Sequence, residues 1–304
     1  MKSIVSYPDR GEFGNNRYRG NCSGRLIEDI IDQYRLKSLS DFMVGGGTTE
    51  EVVRERGIRG DFADLNRGFD MMSMDIPSRA ENIFWHPPYG SMIQYSDSMY
   101  KASEVERLYG LSAETIRNND LSRCKDWDDF IKKLNHCMLK QFAALEKGGR
   151  MFTLVGDMKK SGRLFSMISD MAKPGQLEQI IIKAQHNCWS DTQTYSNNNF
   201  VPIVHEYLLV TRKDPGMSVL IPVSLTHRYT MDLSKTAHVS WRDALYAVLE
   251  ENGGEMTLEQ LYERMADSQK VKNNSFWKEK IRQTVQNAKY FARTARGCYA
   301  LATA

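Results

Sequence analysis

Apolar residues alternate along the first half of the chain between helical spacing and short runs. Residues 25–36 carry apolar side chains at helical spacing, and residues 38–44 follow as a short apolar run typical of a buried strand. Residues 48–57 then have the pattern of a helix that begins with a capping box from Thr48 to Glu51. The pattern therefore predicts a helix, a strand and a second helix in succession.

The same alternation continues to about residue 213 and predicts an α/β fold. A long helix is predicted at 126–147, and further strands are predicted at 60–65, 82–85, 150–157, 177–185 and 204–213. Such alternation indicates a mostly parallel sheet with helices on both faces, with the last two strands closing one edge. Ligands of such sheets bind beyond the carboxyl ends of the strands.

A second pattern begins after residue 238 and predicts a separate small domain. Periodicity fades between 214 and 239, and the chain is expected to divide into residues 1–215, a linker at 216–238 and a domain at 239–304. Three short helices and a hairpin are predicted there, which is the pattern of a winged helix-turn-helix. Its basic residues outnumber acids from 270 to 296 and suit contact with phosphates: Lys278, Lys280, Arg282, Lys289, Arg293 and Arg296.

The composition and the cysteine pattern limit the classes of protein to which the chain can belong. The chain is 41% hydrophobic and 26% charged with eight prolines, as in an ordinary globular protein. Its five cysteines are scattered without a CxxC pair, which argues against a disulfide framework and a zinc site. No signal peptide or long apolar run is visible, so we expect a cytoplasmic protein that is not bound to a membrane.

Two segments have residue types suited to a nucleotide-like ligand. The glycines at 45–47 let a ligand approach the backbone, and the helix behind them offers free amide donors. A tight structural turn gives the same pattern, and the lysine of a P-loop is missing. Asp64 ends the next strand, where an acid typically accepts ribose hydroxyls; taken alone, it would be better explained as a solvated loop acid.

The stretch FWHPPYG, residues 84–90, ends a predicted strand in an unusually stiff way. Its prolines fix the backbone as it leaves the sheet, so the carbonyls of His86 and Pro87 point outward as hydrogen-bond acceptors. Tyr89 adds an aromatic face suited to stacking on a base. A proline-rich turn that only ends the strand is the alternative for these residues taken alone.

Several segments, in order over about 200 residues, resemble the S-adenosylmethionine-dependent amino-methyltransferases of DNA, which methylate N6 of adenine or N4 of cytosine. DFMVGGGTT, residues 41–49, resembles motif I, and DLN, residues 64–66, resembles motif II. HPPYG, residues 86–90, resembles the catalytic motif IV. Further similarity lies in the motif X segment and in the signatures of the fifth and seventh strands, at residues 18–34, 145–157 and 205–213.

The resemblance implies a Rossmann-like domain that binds S-adenosyl-L-methionine and needs no metal. It implies catalytic roles for His86, Pro87, Pro88 and Tyr89. The residues that it assigns to the cofactor are Asn21, Cys22, Ser23, Asp41, Met43, Gly45, Gly47, Thr48, Thr49, Asp64, Leu65 and Asp75.

Two positions depart from the family pattern. Phe42 and Gly46 replace the usual Pro and Ser of motif I, which leaves the backbone contacts available. His86 replaces the Asp, Asn or Ser that accepts a hydrogen bond from the target amine. Neutral imidazole can accept such a bond and protonated imidazole cannot, so activity should depend on pH.

The resemblance therefore predicts a nucleoid-associated enzyme, with a role such as restriction-modification, that methylates a flipped base of double-stranded DNA, with adenine N6 as its target. Motif order leaves sequence recognition to residues 91–127, residues 184–203 or the C-terminal domain. N4-cytosine methylation, RNA methylation and a DNA-binding regulator that lost catalysis through His86 are the alternatives. A homodimer is left open.

Overall fold

The computed structural model describes residues 1–186, 201–214 and 239–302. It divides into two compact units, Met1–Leu225 and Thr226–Ala304. The predicted linker at 216–238 lies outside the described residues. In the part of the chain that is described, no helix is long and apolar enough to cross a membrane.

The first unit is built on a mostly parallel sheet, which confirms the predicted fold class. The strands of this unit, including a hairpin of β4 and β5, are β1 Ile4–Ser6, β2 Ala80–Trp85, β3 Leu145–Val155, β4 Asp157–Lys160, β5 Arg163–Ser166, β6 Gln176–Ala184 and β7 His205–Arg212. In the sheet they have the order β1-β6-β7-β3-β2, and only β7 runs antiparallel to its neighbours. Parallel bridges from Ser40 to Ile83 and from Asp41 to Phe62 continue the sheet beyond β2.

Helices cover both faces of this sheet because successive strand residues point to opposite sides. Phe84 of β2 packs into a core that includes Leu26, whereas its neighbour Trp85 packs into the core that includes Phe130. The result is a three-layer, Rossmann-like arrangement. The helices are α1 Gly24–Tyr34, α2 Thr48–Glu55, α3 Ala102–Tyr109, α4 Ala113–Asn119, α5 Trp127–Ala144 and α6 Met167–Asp170.

Some local expectations differ from the structure. The capping box at the start of α2 is absent: Gly47 is the N-cap, the Thr48 hydroxyl bonds to Asn21, and Glu51 accepts the Gly14 amide at 2.7 Å. These two side chains hold the N-terminal segment in place, so they are not available to cap their own helix. The last two strands do not simply close an edge, because β7 inserts between β6 and β3 and the unpredicted β1 forms the edge.

The second unit has its own apolar core and a three-stranded antiparallel sheet. Leu245, Leu261, Ile281 and Phe291 are among its fully buried side chains. Its elements are α7 Trp241–Glu251, β8 Glu255–Thr257, α8 Leu258–Met265, α9 Gln269–Lys272, α10 Trp277–Val285, β9 Phe291–Ala295 and β10 Cys298–Leu301. The predicted three helices and hairpin are joined by the short α9 and by β8.

Candidate active site

A cavity opens at the carboxyl edge of the sheet, where the glycine-rich turn and the end of β2 meet. We call it the first cavity. The structure brings most of the predicted cofactor residues to its wall: Asn21, Cys22, Asp41, Met43, Gly45, Thr48, Thr49, Asp64 and Leu65. Three others, Ser23, Gly47 and Asp75, are not among its lining residues.

The glycine-rich turn needs glycine because its backbone is left-handed and closely covered. Gly45 has φ of 51° and Gly47 has φ of 90°. A Cβ atom on Gly46 would lie 3.0 Å from the Tyr18 side chain, and the Gly46 carbonyl accepts the Asn15 amide at 2.8 Å. The turn is therefore packed beneath the N-terminal segment, and Gly45 and Gly46 also line the first cavity.

Asp41 and Thr49 fix the two ends of this turn. Asp41 is fully buried and accepts hydrogen bonds from the Thr49 hydroxyl at 2.7 Å and from the Met43 amide at 3.0 Å. Burial raises the pKa of Asp41 to about 7, although these two hydrogen bonds oppose the shift. Asp41 thus acts on the cavity chiefly by holding the turn in shape.

Asp64 is a buried carboxylate on the cavity wall. One oxygen accepts the Gly45 amide at 2.8 Å and the other accepts the Asn66 amide at 2.9 Å. Burial raises its pKa, and the two backbone hydrogen bonds oppose that rise. Each carboxylate oxygen has a further lone pair, so a ligand hydroxyl can still be accepted.

Asp75 does not reach the first cavity. It lies on an exposed turn after the sheet segment, whereas Asp70, five residues earlier, is buried and lines the cavity. Asp70 accepts the Met72 amide at 3.0 Å and the Asn119 side-chain amide at 2.7 Å. Asp70 is therefore the acid of this segment that lies at the first cavity.

A second cavity lies beside the first, and His86 lines both. Pro88 faces the first cavity, while Pro87 and Tyr89 face the second. Ser23 also lines the second cavity, with its hydroxyl bonded to the Arg10 carbonyl at 3.1 Å. The four residues of the HPPY stretch thus form part of the wall between the two spaces.

Tyr89 is held by hydrogen bonds, and its ring packs tightly. Its hydroxyl donates to Glu206 Oε1 at 2.6 Å and lies 3.0 Å from His86 Nε2. A Cβ atom on Gly156 would come within 2.5 Å of the Tyr89 ring. These contacts favour a hydrogen-bonding role, whereas the sequence had led us to expect that Tyr89 stacks on a base.

Charged residues of β6 and β7 complete this group. Lys183 Nζ donates to Glu206 Oε2 at 2.6 Å, and both side chains are buried. Burial would raise the pKa of Glu206, but Lys183, His86 and the hydrogen bonds from Lys183 and Tyr89 hold it below its usual value. Burial lowers the pKa of His86; Glu206 opposes this shift and Lys183 adds to it.

Sequence reasoning missed several of these residues. Glu206 lies at the start of the apolar strand β7, and a charged residue in that position was the available signal. Residues that follow motif IV supply part of the first cavity. The missed lining residues include Tyr18, Asp70, Tyr95, Tyr100, Asn119 and Asp120 for the first cavity, and Arg10, Lys183 and Glu206 for the second.

The structure describes only part of the two segments of the first unit that were predicted to recognise the substrate sequence. Residues 187–200, which make up most of segment 184–203, lie outside the described residues. Segment 91–127 contains α3 and α4 and is anchored by the buried Asp120, which accepts the Ser96 amide at 2.8 Å. This segment therefore helps to build the site.

The second unit presents its basic residues on its surface. Lys278, Lys280 and Arg282 lie on α10, whereas Lys289, Arg293 and Arg296 lie on and beside the β9–β10 hairpin. All six are exposed, and none forms an ion pair within the described ranges. Lys278 lies 5.4 Å from the ring of Tyr262, and Arg282 Nε donates to the Tyr262 hydroxyl at 2.7 Å.

No protein-family model matches the chain, and no curated protein matches it. Solved structures give weak similarities. A candidate DNA modification methylase of Thermus thermophilus is 17% identical, with 60% of this chain and 56% of that chain covered and a TM-score of 0.28. The same methylase has also been solved with S-adenosyl-L-methionine.

Two other structures are similar at the same level. TrmN of Thermus thermophilus is 14% identical over 64% of this chain and 50% of that chain, with a TM-score of 0.28. A SAM-dependent methyltransferase of Archaeoglobus fulgidus is 11% identical over 65% of this chain and 96% of that chain, with a TM-score of 0.33. The chain thus spans about half the length of the methylase and of TrmN. Scores at this level establish no activity for this chain.

Proposed function

We propose that the first cavity binds S-adenosyl-L-methionine. The observation that carries this proposal is the buried Asp64 carboxylate, fixed beside the left-handed Gly45 turn at the carboxyl edge of a Rossmann-like sheet. An acid in this place suits ribose hydroxyls. Leu65, Phe69 and Leu121 offer apolar surface for a planar base. The bound cofactor would supply an activated methyl group on a sulfonium.

The reaction that we propose is methylation of an exocyclic amine placed at His86. An amine is a poor nucleophile while its lone pair is conjugated with a base. Hydrogen-bond acceptors at His86 and at the Pro87 carbonyl would draw the amine out of conjugation and align it. Alignment and exclusion of water are the main contributions that the protein makes to such a transfer. Burial lowers the His86 pKa, which favours the neutral, accepting form of the ring.

Double-stranded DNA is the proposed substrate, with adenine N6 as the target, and N4-cytosine and RNA as the alternatives. The second unit supports a DNA partner because its helix α10 and its hairpin display six exposed basic residues, as the helix and wing of a winged helix would. A base must leave the duplex to reach the second cavity.

The test is a labelling experiment. The full chain is incubated with methyl-labelled S-adenosyl-L-methionine and with duplex DNA or structured RNA, and labelled nucleosides are identified by mass spectrometry. We expect N6-methyladenine in DNA, and none with His86→Ala. Label in N4-methylcytosine or in RNA would move the proposal to that alternative. Cofactor and DNA binding without any label would favour a regulator that has lost catalysis.

A further inference from the structure

Four side chains, two of them buried and two half-buried, form a continuous hydrogen-bonded series from β6 to the HPPY turn. Lys183 contacts one oxygen of Glu206, Tyr89 contacts the other, and His86 Nε2 contacts the Tyr89 hydroxyl. Lys183 and Glu206 are directly paired across β6 and β7, so the sheet register fixes their separation. The His86 side chain is only 14% exposed.

The protons of this series can be assigned from its chemistry. Glu206 lies against Lys183 and is ionised, and an ionised carboxylate can only accept hydrogen bonds. Tyr89 has a single hydroxyl proton, and it donates this proton in a hydrogen bond to Glu206 Oε1 at 2.6 Å. Toward His86 the Tyr89 oxygen can then act only as an acceptor. His86 must therefore carry its proton on Nε2.

We propose that Glu206 and Lys183, acting through Tyr89, hold neutral His86 in the Nε2–H tautomer, so that Nδ1 is the lone-pair acceptor for the target amine. Within the described residues, no protein group hydrogen-bonds to Nδ1, and His86 lines both cavities. Glu206, Lys183 and Tyr89 are positioning residues in this scheme. The role of Nδ1 toward the amine rests on the proposed function, whereas the tautomer itself does not.

This arrangement explains how histidine can stand where the resemblance expects Asp, Asn or Ser. Those three side chains always present an oxygen acceptor, whereas neutral imidazole presents an acceptor at only one of two nitrogens. Without a fixed partner, the proton could occupy the nitrogen that faces the amine. The charged groups that face His86 from β6 and β7 are Lys183 and Glu206, and Tyr89 is the titratable group within its own turn.

The tautomer can be measured directly in the full chain by nitrogen NMR with labelled histidine. The chain has six histidines, and the signals of His86 are those missing from His86→Asn. At a pH where His86 is neutral, we expect a protonated Nε2 and an unprotonated Nδ1. Tyr89→Phe and Glu206→Gln should shift both nitrogens toward a mixture of tautomers. Tyr207→Phe, the same change on the neighbouring residue of β7, is the matched control and should leave them unchanged.

Turnover provides an independent arm. Glu206→Gln should lower the rate of methyl transfer about ten- to hundredfold, the range of one charged hydrogen bond, while cofactor affinity stays the same. In a His86→Asn background, the same substitution should lower the rate by a smaller factor, since asparagine presents an oxygen without a tautomer. Equal factors in both backgrounds, or a proton on Nδ1 in the unsubstituted chain, would overturn the inference. If no transfer is found with any substrate, the proposed function fails and the NMR result still decides the tautomer.

Discussion

Replacing Asp64 with alanine is the most direct test of the proposed cofactor site. The substitution removes a buried carboxylate that would accept ribose hydroxyls and that also accepts the Gly45 and Asn66 amides. A hydrogen bond to a charged group contributes about 1.5–3 kcal/mol, so Asp64→Ala should weaken S-adenosyl-L-methionine about ten- to hundredfold. The loss should fall at the upper end of that range, because the freed Gly45 amide also loosens the turn.

Isothermal calorimetry with S-adenosyl-L-methionine measures this effect. The matched control is Asp75→Ala, because Asp75 is an acid that the sequence also assigned to the cofactor but that lies exposed outside the cavity. We expect Asp75→Ala to bind as the unsubstituted chain does. Equal affinity in Asp64→Ala and the unsubstituted chain would remove Asp64 from the site, and a large loss in Asp75→Ala would refute our placement of the cavity.

Three further predictions concern pH and charge. Burial lowers the His86 pKa, so turnover should fall on acidification only below pH about 6.5, the usual histidine pKa, and His86→Asn should not show this fall. A fall in turnover with its midpoint at or above that pH would contradict the expected direction of the pKa shift. The pKa of Asp41 is raised from 3.8 to about 7, so the folded state binds this proton more tightly than the unfolded state, and the stability that Asp41 contributes is present at low pH and lost as the pH rises through this range. Chemical denaturation should therefore show that the free energy of unfolding of Asp41→Asn increases relative to that of the unsubstituted chain over the same pH range. A constant difference between the two would refute this. Replacing both Lys278 and Arg282 with alanine should weaken duplex binding and reduce the slope of log affinity against log salt concentration by about 2. Arg264→Ala, which removes a basic residue paired with Glu251 in the same unit, should leave both unchanged. An unchanged slope in the double variant would exclude phosphate contacts by Lys278 and Arg282.

Much of the fold could be predicted because it depends on local patterns. The alternation of apolar runs with helical spacing predicted the layers, and Phe84 and Trp85 do face opposite cores. The position of β7 could not be predicted in the same way. Its insertion between β6 and β3 is decided by pairing between distant segments, which periodicity within a window does not report.

The residues of the candidate site were likewise predictable where the signal is local and unpredictable where it depends on distant segments. The glycine turn and Asp64 lie in short segments whose residue types already indicate a ligand, and Gly45, Gly46 and Asp64 line the first cavity. Asp75 was assigned to the cofactor by the resemblance alone, whereas Asp70, five residues earlier, is the acid that lines the first cavity. Glu206 was missed because its partners, Tyr89 and Lys183, are 117 and 23 residues away in sequence.

The reversed direction of β7 has a consequence for how this protein can change. A parallel strand would begin at the far side of the sheet, whereas β7 begins beside the end of β6, with the Gln185 amide bonded to the Val204 carbonyl at 2.9 Å. The connection between them therefore leaves and re-enters the sheet at two positions that one hydrogen bond holds together. For a flexible connection between two fixed positions, doubling the number of residues costs only about 0.6 kcal/mol in closure entropy. Insertions and deletions between these two positions can therefore accumulate while the strands that carry Lys183 and Glu206 keep their register.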